Sequence, residues 1–178
     1  MTAVKPGLGA IMQYAFVVPD CERAAQQWAQ RMGVGPFFVM HRVGFNSLYY
    51  RGQPSAMQMS VAIAYSNGIQ IEFVEALDSE PSMYREFLDT NPDGGLQHVG
   101  ILTTDLEADI DRLGGPARRI QWGETAIGMR FAYMDTGAGP GSVVELIAAN
   151  DEVLAAFAGM RRAAEHWDGQ RPLRGGRR

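Results

Sequence analysis

The chain has 178 residues, 46% of them apolar and 20% charged, which suits one globular domain or two small, closely packed modules. Its apolar runs are too short to span a bilayer, no signal-like segment opens it, and the single Cys21 excludes an internal disulfide or a thiolate metal site. Net charge is −4, but from Arg161 onward six arginines against Glu165 and Asp168 give +4, so the rest carries −8, which argues against a nucleic-acid surface. A reducing, cytoplasmic location is expected, with a small molecule as partner rather than nucleic acid or membrane.

Residues 11–18 are apolar on both faces, as a covered central strand is. Pro19-Asp20 ends that strand. Asp20 as N-cap and Glu22 in the first turn then start a helix with Ala24, Ala25, Trp28 and Met32 on one face, broken by Gly33-Val-Gly-Pro36. Phe37 to His41 and Asn46 to Arg51 read as two strands and Met57 to Tyr65 as another. Asn67-Gly68 is a two-residue hairpin signal, because both turn positions need positive φ, and it returns the chain as Ile69 to Glu75. Pro81 to Asp89 reads as a linking helix.

A second strand then opens at Leu96 and runs into a helix capped by Asp105, reaching about Leu113. Strands near Arg118–Trp122, Met129–Met134 and Ser142–Ala148 follow, and Asp151 to about Trp167 is an amphipathic covering helix. Gly169 to Arg178 lacks apolar periodicity and reads as a mobile basic tail.

The chain says the same phrase twice. With Gln13 set on His98, Ala15 falls on Gly100, Asp20 on Asp105, Glu22 on Glu107 and Trp28 on Leu113. The expected class is therefore α+β, one domain over 1–178: a first βαβββ module at 10–77, a second at 96–150, and the helix and tail at 151–178.

Four residues break the apolar pattern at matching places. Gln13 and His98 stand on the first strand of each module, Glu72 and Glu145 on the last. A carboxylate on a strand with two apolar faces is costly unless paired or bound to a cation. If first and last strands neighbour each other and the modules pair, three oxygen donors and one imidazole converge. Such a set suits one divalent ion, Zn²⁺, Ni²⁺, Co²⁺, Mn²⁺ or Mg²⁺, with positions open for substrate oxygens. Two histidines and one carboxylate, the non-haem iron oxygenase set, are not offered.

The stretches Gln13 to Asp20, Gly33 to Phe38, Ile69 to Glu75, Gln97 to Gly100 and Val144 to Ile147 resemble the vicinal oxygen chelate superfamily. Its members include glyoxalase I, methylmalonyl-CoA epimerase, extradiol dioxygenases and bleomycin-resistance proteins. The resemblance covers roughly residues 10–150 and is nearest the glyoxalase-like and epimerase-like branch. It implies paired βαβββ modules around a cleft, the glyoxalase/bleomycin resistance/dioxygenase-like fold, with Gln13, Glu72, His98 and Glu145 as metal ligands. The ligand set is similar to that of animal-type glyoxalase I, which favours zinc. Epimerases of the branch usually carry His where Gln13 stands and Gln where Glu72 stands.

The implied activity is that of a lyase, isomerase or epimerase moving a proton next to a metal-bound carbonyl of a thioester, hemithioacetal or ketone. Glu145, set among the more apolar neighbours, is the expected base, and Glu72 could serve the opposite face. A metal-free binding protein of the bleomycin-resistance type is the alternative. Phe38, Tyr50, Met59, Trp122, Met129 and Tyr133 are the expected substrate contacts, with Phe37, Tyr49 and Met57 as further lining. Arg51, Arg118, Arg119 and Arg130 are possible anchors for a CoA or glutathione partner. A homodimer is expected.

Overall fold

Each of the four α-helices among the described residues starts where a short polar side chain accepts a hydrogen bond from the backbone N–H three residues on. Asp20 caps α1 (Cys21–Met32), Ser82 caps α2 (Met83–Thr90), Asp105 caps α3 (Leu106–Arg112) and Asn150 caps α4 (Asp151–Glu165). The strands between them are β1 (Ile11–Val17), β2 (Phe37–Met40), β3 (Phe45–Tyr50), β4 (Gln53–Pro54), β5 (Met59–Ser66), β6 (Ile69–Ala76), β7 (Gly95–Leu102), β8 (Arg119–Thr125), β9 (Arg130–Asp135), β10 (Val143–Ala148) and β11 (Leu173–Gly175). This computed structural model describes residues 7–139 and 141–175. The β5–β6 hairpin turns at Asn67 (φ 48°) and Gly68 (φ 84°), as their sequence requires. No helix among the described residues is long and apolar enough to cross a membrane.

The strands form one sheet in the order β11-β2-β5-β6-β1-β7-β10-β9-β8-β3-β4. Its centre is the antiparallel pair β1–β7, flanked by parallel β6 on one side and parallel β10 on the other. The repeat read in the sequence is thus a pseudo-twofold in space. Helix α1 packs on β5 and β6, and α3 on β9 and β10. Under α1, Trp28 meets Phe73 edge-on at 5.3 Å, and Phe37, Phe73 and Ala62 are buried with it. A fully buried phenylalanine of this kind contributes roughly 2–3 kcal/mol. Under α3, Ile110, Met134 and Leu146 do the same work. The inner faces of the two halves meet in a third cluster, which Tyr84 and Met83 of α2 enter from one side and Phe157 and Met160 of α4 from another.

Two expectations are corrected. The strand expected at Asn46–Arg51 does not stay with the first module. β3 pairs with β8 at the far edge of the second half, Leu48 against Gly123 and Tyr49 against Trp122. A Cβ on Gly123 would lie 2.2 Å from the Ser47 carbonyl oxygen, so this docking requires glycine there. His41–Gly44 consequently carries the chain from one end of the sheet to the other. The tail is not free either. Phe37 N–H donates to the Pro172 carbonyl at 2.7 Å and β11 adds to the edge of β2, so Leu173–Gly175 belongs to the sheet. The expectation for 176–178 lies outside the described residues.

Candidate metal centre

Four buried polar side chains meet where β1 and β7 run through the middle of the sheet. Gln13 stands opposite Gly100 and His98 opposite Ala15. The parallel neighbours set Glu72 beside Ala15 and Glu145 beside Gly100. The pseudo-twofold therefore exchanges Gln13 with His98 and Glu72 with Glu145. Residues with little or no side chain at the two crossing points leave the others room. A Cβ on Gly100 would stand 2.3 Å from Gln13 Oε1.

His98 is fully enclosed, and Gln13, Glu145 and Glu72 are 3%, 4% and 8% exposed, so their charges and lone pairs must be answered within the protein. His98 Nε2 lies 3.5 Å from Glu145 Oε2 and 3.7 Å from Glu72 Oε2. Ligand atoms of these three residues all fall within 4.8 Å of one another. These distances are long for hydrogen bonds. They match donors around a shared cation, since two atoms each about 2.1 Å from a tetrahedral ion are about 3.4 Å apart.

Two buried atoms here have no hydrogen-bond partner: Gln13 Oε1 and His98 Nε2. Each is the bare end of a side chain whose other end is held. Gln13 Nε2 donates to Gln70 Oε1 at 2.7 Å and to Glu72 Oε2 at 3.3 Å, and Gln70 Nε2 in turn donates to the Tyr65 hydroxyl at 2.8 Å. His98 Nδ1 meets Gln97 Oε1 at 2.6 Å. Because a carbonyl oxygen only accepts, Nδ1 carries the proton and Nε2 is the acceptor whenever the ring is neutral. Gln97 reaches this position through a bulge. Ala15 pairs with His98 and Phe16 with Leu96, leaving Gln97 as the extra residue, which also breaks the expected alternation from Leu96 to His98.

Burial by itself would lower the pKa of His98, but the carboxylates of Glu145 and Glu72 outweigh it and hold the ring up at about 9. Burial raises the Glu72 carboxyl, against a partial opposing pull from His98. The cluster thus demands a positive charge between its carboxylates, which a proton on His98 or a divalent cation would supply. The donor set, the bare acceptors and the spacing fit the cation.

Gln13, Glu72 and Glu145 of the centre form the floor of a cavity of about 340 Å³ within this single chain. β5 supplies Met59, Val61 and Ile63 to its wall, β9 supplies Phe131 and Tyr133, and α4 roofs it with Phe157 and Met160. Tyr133 lies beside Glu145 across β9–β10 and meets the His98 ring edge-on at 4.9 Å, and its hydroxyl accepts from Tyr84 at 2.9 Å.

Of the expected substrate contacts, Met59, Met129 and Tyr133 line this cavity, whereas Phe38, Tyr50 and Trp122 do not. Trp122 stacks on Tyr49 at 5.6 Å and lies under Arg119, while the Tyr50 hydroxyl donates to Glu86. The anchor candidates also lie elsewhere. Arg51 pairs with Glu86, Arg118 with Asp135 and Arg130 with Glu107. The sequence reading passed over Gln70 and Gln97; their only signal was polarity inside apolar strands, one or two residues from Glu72 and His98.

A model of the Glyoxalase/Bleomycin resistance protein/Dioxygenase superfamily matches residues 12–133. Among solved structures, methylmalonyl-CoA epimerase from Mycobacterium tuberculosis superposes with a TM-score of 0.59 at 18% identity, covering 86% of this chain and 97% of that one. A selenomethionine methylmalonyl-CoA epimerase gives 0.54 at 17%, over 83% and 100%. A Streptomyces coelicolor methylmalonyl-CoA epimerase in complex with 2-nitronate-propionyl-CoA gives 0.52 at 15%, over 80% and 99%. At these identities the likeness is one of fold. No curated protein matches the sequence.

Proposed function

This chain belongs to the glyoxalase/bleomycin resistance protein/dioxygenase superfamily, and from that premise we propose that it is a metal-dependent enzyme that moves a proton on the carbon next to a substrate carbonyl. The observation that carries the reading is the meeting of two carboxylates and two bare acceptors, Gln13 Oε1 and His98 Nε2, at a place where Gln13, Glu72 and Glu145 line a cavity and His98 lies behind them. Gln13, Glu72, His98 and Glu145 would hold one divalent ion, zinc before nickel, cobalt or manganese. Bound there, it would supply Lewis-acid polarisation of the substrate's oxygens, worth several kcal/mol in the transition state.

The protein's own part is to place a carboxylate at the acidic carbon and to keep water away. Glu145 is the proposed base. It lines the cavity and takes no amide hydrogen bond among the described residues, whereas Glu72 accepts one from Gln13. Glu72 is the second carboxylate, able to return the proton at another face or carbon. Return to the same carbon from the opposite side inverts it, as in an epimerase; return to the neighbouring carbon isomerises, as in a glyoxalase. Methylmalonyl-CoA epimerases are among the fold neighbours, while Gln13 and Glu72 follow the glyoxalase pattern.

The test is metal analysis of purified protein followed by turnover in D₂O. About one divalent ion per chain and deuterium gained at the substrate carbon are expected. Protein that neither carries nor takes up Zn²⁺, Ni²⁺, Co²⁺ or Mn²⁺ refutes the proposal. It would leave the second reading, a metal-free binding protein, which the largely apolar cavity favours. The homodimer is kept as part of the proposal on the exposed apolar side chains of the central strands, Ile11, Tyr14, Leu96 and Leu102. Sedimentation as a concentration-independent species of 19.5 kDa would reject it.

A further inference from the structure

The cavity is mostly apolar, with its carboxylates gathered at the floor. Its floor holds Gln13, Glu72 and Glu145, and its walls are aliphatic, aromatic and thioether groups from β5, β9 and α4. Among the described lining residues the basic groups are His41 and Arg42, both in the crossing between β2 and β3. His41 faces Glu22 at 3.4 Å, and Arg42 donates to Gln58. Arg42 is exposed at the mouth, and the two carboxylates of the floor repel an anion placed deep inside. At the rim, Met40 is 37% and Ile127 53% exposed, beside His41 and Arg42.

Size and roofing narrow the ligand further. A cavity of about 150 Å³ is enough for benzene, and this one offers about 340 Å³. That is room for a ring and its substituents, but not for a pantetheine arm with its nucleotide. The roof is tied at both ends. Asn150 donates to the Ile127 carbonyl at 2.7 Å before α4, and β11 joins β2 after it. Methionines 40, 59, 129 and 160 stand around the space, and their unbranched, polarizable chains fit irregular or planar apolar bodies.

The geometry points to a substrate with a compact, uncharged apolar body, aromatic or alicyclic, and two adjacent oxygens at one end, taken whole into the cavity. This rests on the proton-transfer reading for the oxygen pair and for its orientation toward the floor. It departs from the Streptomyces coelicolor epimerase among the fold neighbours, which is in complex with 2-nitronate-propionyl-CoA.

Calorimetric titration of the zinc-supplied protein with acetoin, 2-hydroxyacetophenone and methylmalonyl-CoA tests it. The first two share the adjacent oxygen pair and differ in the ring. The aromatic ketone is expected to bind at least tenfold more tightly than acetoin, and more tightly than the CoA thioester. Phe157→Ala should cut that ring preference at least threefold. Equal affinity for the two ketones, tighter binding of methylmalonyl-CoA, or a ring preference untouched by Phe157→Ala overturns the assignment. The same titration after EDTA treatment separates the two readings. A ring preference that persists while zinc makes no difference upholds the substrate class and removes the metal.

Discussion

Replacing Gln97 with leucine asks whether a neutral amide sets the chemistry of the centre from beside it. Gln97 Oε1 and His98 Nδ1 are 2.6 Å apart, with Gln97 4% and His98 0% exposed, so no water can take over the bond. The variant keeps the bulk but leaves a buried N–H unanswered, a cost of about 1–3 kcal/mol. In a chain of this length that is about 2–12 °C in the melting temperature of the metal-free protein. The imidazole then has no reason to keep its proton on Nδ1. With the proton on Nε2 the ring turns a donor toward Glu145 and Glu72 and has no lone pair there for an ion. Loss of such a partner weakens metal binding by roughly 10- to 100-fold. Zinc titration against a chromophoric chelator reads the affinity, thermal unfolding reads the stability, and Gln97→Glu, which keeps an acceptor, should restore most of the affinity. Zinc held by Gln97→Leu within about twofold of the original, despite the lost stability, would refute the reasoning.

Glu145→Gln keeps an oxygen at the centre and removes the base, so turnover should fall about 100-fold or more while zinc is partly retained; surviving activity would shift the role to Glu72. Gly100→Ala places a methyl where Gln13 Oε1 now lies, so the amide must swing away. Zinc affinity should drop at least tenfold with the circular-dichroism spectrum unchanged, and undiminished affinity would remove Gln13 from the ligand set. His98 is held at about 9, so an incoming cation must displace its proton. Apparent zinc affinity should rise about tenfold per pH unit up to about pH 9 and then level, with proton release detectable in weakly buffered solution; a flat profile would contradict the cluster. Without metal, the raised pKa of His98 gives a stabilisation that is complete below its ordinary 6.5 and is lost as pH rises through about 9. The melting temperature should therefore fall over that interval, and a rise would contradict the raised pKa of His98.

The residues of the centre were legible because their cost is local. A carboxylate in an apolar strand needs an answer wherever the strand goes, and a matched pair of such strands says that the answer is shared. The caps at Asp20 and Asp105 and the turn at Asn67-Gly68 are likewise written within a few residues. What lay between elements was not legible. Nothing in Asn46–Arg51 tells which sheet edge will receive it, since pairing partners are chosen by tertiary packing. Alternation gave Trp122 and Phe38 a face without saying which face is the inner one. Gln97 was hidden by its bulge, because a strict period of two placed it away from His98. The tail strand was hidden because three residues docking on an existing edge need no periodicity of their own.

The two borrowed segments at the ends of the sheet have a colloidal consequence. An open sheet of eleven strands ends in two rows of unmatched amides, the usual template for adding a foreign strand and growing an aggregate. Here one end is β4, two residues long and including Pro54, which has no amide hydrogen to offer. The other is β11, three residues long and reaching a glycine whose φ of 134° departs from a regular strand. Among the described residues both ends are short, which makes each a poor template for another chain. Trimming the protein after Glu165 would expose the full edge of β2, and the shortened chain should become prone to aggregation at concentrations where the intact one stays in solution.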